Sequence, residues 1–290
     1  MAEHLVPIAA AAVRIPTDEA APLEKQHSLL SSLRELDSLL IAFSGGADSA
    51  YLAWAAHSAL GGRALSITAL SASFSQHDRE QAAAFVHSFG LRHEFIETHE
   101  FENPQYVANN ADRCYHCKDE LFDRMELLSR ERGFTAIAYG INADDTRDFR
   151  PGHRAAHEHR ILAPLLDASL SKTEIRMLSR RAGLPTWDRP ASACLSSRIP
   201  YGVAVTPELL AKIERAEAAL RELGFRQFRA RAHGELARIE LAPDELSRGL
   251  EPEMAQKIAR GVKGAGFAFV TVDLEGYRQG SLNSLLKSKA

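Results

Sequence analysis

Leu39-Leu40-Ile41-Ala42-Phe43-Ser44-Gly45-Gly46-Ala47-Asp48-Ser49 is the stretch whose reading decides the fold. It opens as a short apolar run, which reads as a buried parallel strand. It turns through Ser44-Gly45-Gly46 and continues as Ala50-Tyr51-Leu52-Ala53-Trp54-Ala55-Ala56, which has helical composition. A strand, a glycine turn and a helix N-terminus make an anion site. Free backbone N–H groups point into the turn, and the helix dipole favours negative charge there. Glycine lets the backbone close on phosphate oxygens. Ser44 and Ser49 add hydroxyl donors, and Asp48 stands where it could hold a magnesium ion bridging phosphates.

The spacing excludes a Walker A loop, because GxxxxGK[ST] and its lysine are absent, and it excludes the GxGxxG dinucleotide turn. The order SGGADS over Ser44–Ser49 resembles the pyrophosphate-binding loop of the PP-loop ATP pyrophosphatases. That resemblance implies cleavage of ATP between its α and β phosphates and adenylation of a substrate. The plain alternative is a strand-to-helix turn that binds nothing. The strand before, the helix after and the full six-residue match weigh against it.

Working outward, 290 residues suffice for one large or two ordinary domains, and 45% hydrophobic with 25% charged residues is a globular composition. Lys and Arg number 35 and Asp and Glu 38, so the formal charge is 35 minus 38, or −3. A strongly basic surface for nucleic acid is not indicated. No apolar run approaches the roughly 20 residues of a membrane span. Met1–Ala12 lacks the basic start and apolar core of a signal peptide. Three cysteines point to a reducing, cytoplasmic compartment.

Residues 1–22 carry no pattern and read as a loose extension; Leu29, Leu33 and Leu36 give helical spacing to Leu23–Leu36. Further strands are expected at Ala64–Leu70, His93–Thr98 and Thr135–Tyr139, with helices at Gln76–Phe89 and Asp119–Arg132. The alternation predicts an α/β fold with a doubly wound parallel sheet over 23–202. Ligands of such sheets bind outside the carboxyl ends of the strands. Ser71–Phe74 is therefore a candidate adenine wall. Gly140, Asn142 and Asp144, in the loop after the fourth strand, are candidates for ATP and magnesium. Ser171-Lys172-Thr173-Glu174 opens another helix with a capping box. Leu184–Gly202 has no period and is too long for an idle loop. From Val205 the order becomes a helix (Thr206–Leu223), a hairpin (Phe225–His233, Leu236–Leu241), a helix (Glu245–Ala259) and a strand (Phe267–Leu274). This predicts a smaller α+β domain over 203–290.

Cys114-Tyr115-His116-Cys117 is a CxxC at an expected helix start, where thiol pKa values are lowered, and Cys194 follows 80 residues on. The residues alone leave three readings open: unrelated thiols, a disulfide, or a metal centre. The last could be zinc, with His116 as a weak candidate for fourth ligand, or a [4Fe–4S] cluster with one free iron.

Taken together, the segments resemble one family, the ATP-dependent sulfur-insertion enzymes (LarE) that help make the nickel-pincer nucleotide cofactor. The matching segments are SGGADS (44–49), ADRCYHCK (111–118), YGINADDTRDFRPG (139–152), LPTWDRPASACLSSRIPYG (184–202), FRARAHGELARIE (228–240) and GYRQGSLN (276–283). The resemblance implies a pyridinium mononucleotide substrate with two carboxylates. ATP adenylates a carboxylate, pyrophosphate leaves, and sulfur attacks the activated carbonyl to give a thiocarboxylate. Ser44, Gly45, Gly46, Asp48 and Ser49 would hold ATP and Mg2+ with Ser71, Gly140, Asn142 and Asp144. Two sulfur sources are implied. Cys194 can give up its own sulfur and become dehydroalanine, or Cys114, Cys117 and Cys194 can carry a [4Fe–4S] cluster that delivers sulfide from a donor. The CxxC favours the cluster. Arg198, Arg229 and Arg231 are candidates for the substrate phosphate, since guanidinium suits phosphate bidentately. A homo-hexamer is implied, with no nucleic acid and no membrane. The nearest rival, a tRNA thiolase, needs a basic surface that the charge does not offer. An amide-forming synthetase would not need three cysteines, and a non-catalytic metal carrier would not need Asp48.

Overall fold

The four buried residues Leu39–Ala42 form strand β1, and the first sheet is ordered around it. A computed structural model describes residues 17–147, 151–190 and 193–278. Strands β1, β2 (Ala64–Leu70), β3 (His93–Glu97) and β4 (Ala136–Tyr139) form one parallel sheet in the order β3-β2-β1-β4. The chain steps outward from β1 to β3 and returns to the other side of β1 for β4. The direction therefore reverses between β1 and β4, which is where open α/β sheets form a crevice.

Both faces of the sheet are covered, as the apolar run required. Leu39, Ile41 and Phe43 lie in a core with Leu29 and Leu33 of α1 (Thr17–Arg34), Leu52 and Ala55 of α2 (Ala47–Leu60), and Ile175 and Leu178 of α8 (Lys172–Arg181). Leu40 and Ala42 join the opposite core with Phe122 and Met125 of α5 (Arg113–Arg132) and Ala155 of α6 (Pro151–Glu158). This split follows from the two-residue period of a strand. Helix α3 (Gln76–Ser88) links β2 to β3, and the one-turn helices α4 (Pro104–Val107) and α7 (Pro164–Asp167) precede α5 and α8.

The second domain holds α9 (Pro207–Glu222), the antiparallel pair β5 (Phe228–His233) and β6 (Leu236–Leu241), α10 (Pro243–Leu250), α11 (Pro252–Gly264) and β7 (Phe269–Val272). Strand β7 pairs in parallel with β6, giving the order β5-β6-β7. Among the described residues no helix is long and apolar enough to cross a membrane.

Four expectations change. Helix α1 starts at Thr17, so 17–22 is not loose; Lys25 of α1 reaches Glu174 at 2.8 Å and helps dock the helix. Residues 1–16 lie outside the described residues. Helix α5 starts at Arg113 rather than Asp119, and the CxxC stands at its start, as expected. The helix expected over Glu245–Ala259 is two, broken at Glu251 because Pro252 disfavours the helical region for the residue before it. The last strand is limited to Phe269–Val272. Gly202 separates the two sheets in sequence but not in packing. Tyr106, Leu195 and Ile199 all precede it and sit in the core of the second domain.

Candidate functional site

After β1, Gly45 takes a left-handed φ of +72°, which turns the chain into α2. Ser49 Oγ donates to the Gly46 carbonyl at 3.1 Å and accepts from the Ser44 N–H at 3.2 Å. The Ser44 and Ser49 hydroxyls are 3.1 Å apart. No side chain caps the start of α2, whose N-cap is Gly46. The helix end is thus built around a bare backbone turn. Gly140, at the end of β4, packs against the same turn. A Cβ there would stand 2.8 Å from the Ser49 nitrogen. Glycine is required at that position by close approach.

Asp48 projects from the first turn of α2 and pairs with Lys172 Nζ. Its other oxygen, Oδ1, is buried with no hydrogen-bond partner. Lys172 opens α8, where the capping box of Ser171 and Glu174 forms as expected. The Lys172 N–H donates to Asp144 at 2.8 Å, and the Asp144 N–H donates to buried Asn142 at 2.9 Å. The loop after β4, the start of α8 and the glycine turn are therefore one hydrogen-bonded unit. Arg189 completes it from the loop after α8, donating to the Gly45 carbonyl at 2.9 Å and to Asp78 at 2.7 Å. Sequence reasoning missed Lys172 and Arg189 as site residues. Lys172 was visible only as part of a cap, and Arg189 carried no motif of its own. Residues 148–150 of the expected ATP loop lie outside the described residues.

At the ends of β2 and β3 a hollow of about 320 Å3 is lined by Ser71, Phe74, Arg79 and Thr98 among others. Ser71 Oγ bonds Ser73 Oγ at 2.9 Å, and Ser73 donates to Glu100 at 3.3 Å.

The thiols are gathered by hydrogen bonds between the segments that carry them. Leu195 N–H donates to the Ser73 carbonyl at 2.9 Å, drawing Cys194 toward the end of β2. Arg113, the first residue of α5, donates to the Ser196 carbonyl at 2.8 Å. Asn109 donates to the Pro200 and Val203 carbonyls, each at 2.9 Å, and Tyr106 bonds Ser196 at 2.8 Å. Cys114 and Cys194 are exposed; Cys117 is half-buried against the second core. Cys117 lies within electrostatic reach of both Cys114 and Cys194. The expected low thiol pKa is corrected for Cys117. Loss of water around it, and then the Glu100 carboxylate, push it up. Among the described residues no three His, Cys, Asp or Glu side chains are placed to hold a single metal ion. A set of three soft thiols suits iron–sulfur chemistry, and a cluster spreads its ligands over several irons rather than one point. His116 stands 3.5 Å from Asp112, its i−4 neighbour.

A cleft of about 370 Å3 runs between α3, the Arg189 loop and the second domain. Arg189, Arg198, Arg221, Arg226 and Arg229 line it, with Asp78 and Glu217. The positive field is felt at His77, whose pKa is lowered by burial and then by Arg221. Of the three arginines expected to bind phosphate, Arg198 is buried and forked onto Glu217 with two bonds of 2.9 Å. Arg231 is buried and holds Glu240 and the Ser197 carbonyl, each at 2.8 Å. Phosphate binding at these two must compete with ties already made. Arg229 is buried and tied as well: it donates to the Phe228 carbonyl at 2.6 Å and lies over the Tyr277 ring, 4.9 Å from its centroid.

Fold and site together define a class: an α/β protein whose glycine turn adjoins a cleft lined by arginines, with three cysteines on segments that hydrogen bonds tie together. No family model matches the chain. Whole-chain comparison is informative. The chain is 43% identical over 262 residues to an uncharacterised protein of Synechocystis sp., covering 90% of this chain and 98% of that one. It is 31% identical over 264 residues to the pyridinium-3,5-bisthiocarboxylic acid mononucleotide synthase of Lactiplantibacillus plantarum, covering 90% of this chain and 95% of that one. An uncharacterised protein of Methanocaldococcus jannaschii is 27% identical over 259 residues, or 88% of this chain and 98% of that one. The chain belongs to the LarE family of the Lactiplantibacillus synthase.

Proposed function

We propose that the protein is an ATP-dependent sulfurtransferase of nickel-pincer cofactor biosynthesis. It adenylates carboxylates of pyridinium-3,5-biscarboxylic acid mononucleotide and converts them to thiocarboxylates. The observation that carries this reading is the join between the two halves of the chemistry. The bond from Leu195 to Ser73 sets the Cys194 loop against the strand end that leads to the nucleotide wall.

The chain's own residues divide the work. The N–H groups of the Ser44–Ser49 turn and the Lys172 ammonium hold the departing pyrophosphate. The unpartnered Asp48 Oδ1 suits a magnesium ion, an oxygen-seeking cation. Gly140, Asn142 and Asp144 keep that corner shaped, and Ser71 lines the adenine hollow. Arg229 takes the mononucleotide phosphate, with Arg198 and Arg231 fixing the floor beneath it. Cys114, Cys117 and Cys194 would hold a [4Fe–4S] cluster, which when bound supplies an open iron for the sulfide to be transferred. The loop from Leu184 to Gly202 keeps water from the acyl-adenylate. Cytoplasmic location and a homo-hexamer belong to the same proposal.

One observation favours a second reading. Cys194 is exposed, while burial pushes the Cys117 thiol up, so Cys194 could act as a sacrificial donor without Cys117. The test is anaerobic reconstitution with iron and sulfide, followed by assay of AMP and pyrophosphate. Both products should depend on the pyridinium mononucleotide, and Asp48→Ala should abolish them. AMP formation that depends on RNA instead would overturn the substrate assignment.

A further inference from the structure

Arg113 is 4% exposed, yet among the described residues it has no carboxylate partner. Its hydrogen bonds go to the Asn109 side-chain oxygen Oδ1 (2.5 Å), the Ser196 carbonyl (2.8 Å) and the Cys114 sulfur (3.8 Å). All three are formally neutral acceptors when the thiol is protonated. Two other buried arginines of the site behave differently: Arg198 has Glu217 and Arg231 has Glu240. Burying a guanidinium without an anion is costly, so such a site is built for a negative charge that is supplied elsewhere. The groups nearest Arg113 that can carry one are sulfurs. The Cys114 sulfur is 3.8 Å from the guanidinium, and Cys194 stands two residues before Ser196, whose carbonyl the guanidinium holds.

We propose that Arg113 is the charge partner of the sulfur centre, a fixed cation between Cys114 and the Cys194 loop that recruits and holds anionic sulfur, hydrosulfide or thiolate. Its purpose rests on the sulfur-delivery reading above; its geometry does not. The guanidinium does two things with one group. Through Ser196 it ties the Cys194 loop to the start of α5, and it places positive charge where sulfur must arrive as an anion. Asn109 holds the guanidinium from one side with its carbonyl and the 199–203 backbone from the other with its amide. The cation is thereby fixed in direction.

The test reads charge rather than folding. Purified metal-free protein is alkylated with iodoacetate, an anion, and in parallel with neutral iodoacetamide of similar size. Rates at Cys114 and Cys194 are followed by peptide mass spectrometry. The ratio of the two rates cancels the fraction of thiolate and reports the local field. In the wild type the ratio should exceed that of a free cysteine peptide. Arg113→Gln should lower it by roughly threefold or more at both positions, and Arg113→Lys should retain it. A wild-type ratio no higher than that of the free peptide would overturn the proposal, as would an unchanged ratio in Arg113→Gln. The wild-type arm needs no variant to fold. Because the labelling uses no iron, a protein that takes up no cluster would sink the cluster reading while leaving the Arg113 result legible.

Discussion

Asp48 and Lys172 lie 124 residues apart and meet at the mouth of the glycine turn. An ammonium held there on a carboxylate is poised to exchange that partner for phosphate. Lys172→Met should therefore raise the KM for ATP by roughly ten- to hundredfold while leaving the melting temperature within a few degrees, as steady-state kinetics and calorimetry would check. Gly140→Ala acts differently. Its methyl would meet the Ser49 nitrogen at 2.8 Å, so the cost falls on the backbone joint between β4 and α2. Urea unfolding should show a loss of about 1–3 kcal/mol together with weaker nucleotide binding. Glu217→Ala would leave the Arg198 charge buried and unpaired, at about 3–5 kcal/mol. The Ser44–Ser49 turn was legible because its whole argument is local: strand, glycine and helix follow one another in the chain. Lys172 and Arg189 were not legible as site residues. What places them is the return of the chain to the β4 side of β1, and no spacing within 171–189 encodes that.

The helices carry a further consequence at the joint of α5 and α6. His159, just past α6, bonds Glu126 at 2.9 Å and Asp119 at 3.0 Å, both on α5. Burial lowers its pKa, but these two bonds and the nearby Asp123 raise it on balance above the ordinary 6.5. A raised histidine contributes stability that is complete below its unfolded value and lost as pH rises through its folded value. Stability measured by urea midpoint should therefore fall as pH rises above about 6.5, and His159→Gln should flatten that fall. A steeper fall in the variant would contradict the assignment. The same scale shows where periodicity was enough and where it was not. Strand β2 matches its expected bounds because Ala64–Leu70 is bounded by turns and apolar apart from Ser66 and Thr68. The single helix expected over Glu245–Ala259 is divided by the backbone restriction that Pro252 places on Glu251, which apolar spacing does not register.

At the scale of the whole molecule, the proposed chemistry lies where two cores meet. The parallel sheet supplies the glycine turn and the strand ends, and the second domain supplies the arginine wall. The segments around Tyr106 and Leu195 belong by sequence to the first part and by packing to the second. That crossover brings Cys194 to the CxxC, and sequence could give only the cysteines' identity and their separation. Sulfur delivery from a thiol centre that survives each cycle is the central claim. It is tested most directly by counting thiocarboxylated mononucleotide per chain, with ATP and sulfide in excess, while weighing the Cys194 peptide before and after. The prediction is several products per chain with the Cys194 peptide unchanged in mass. No more than one product per chain, with that peptide lighter by the elements of hydrogen sulfide, would contradict it.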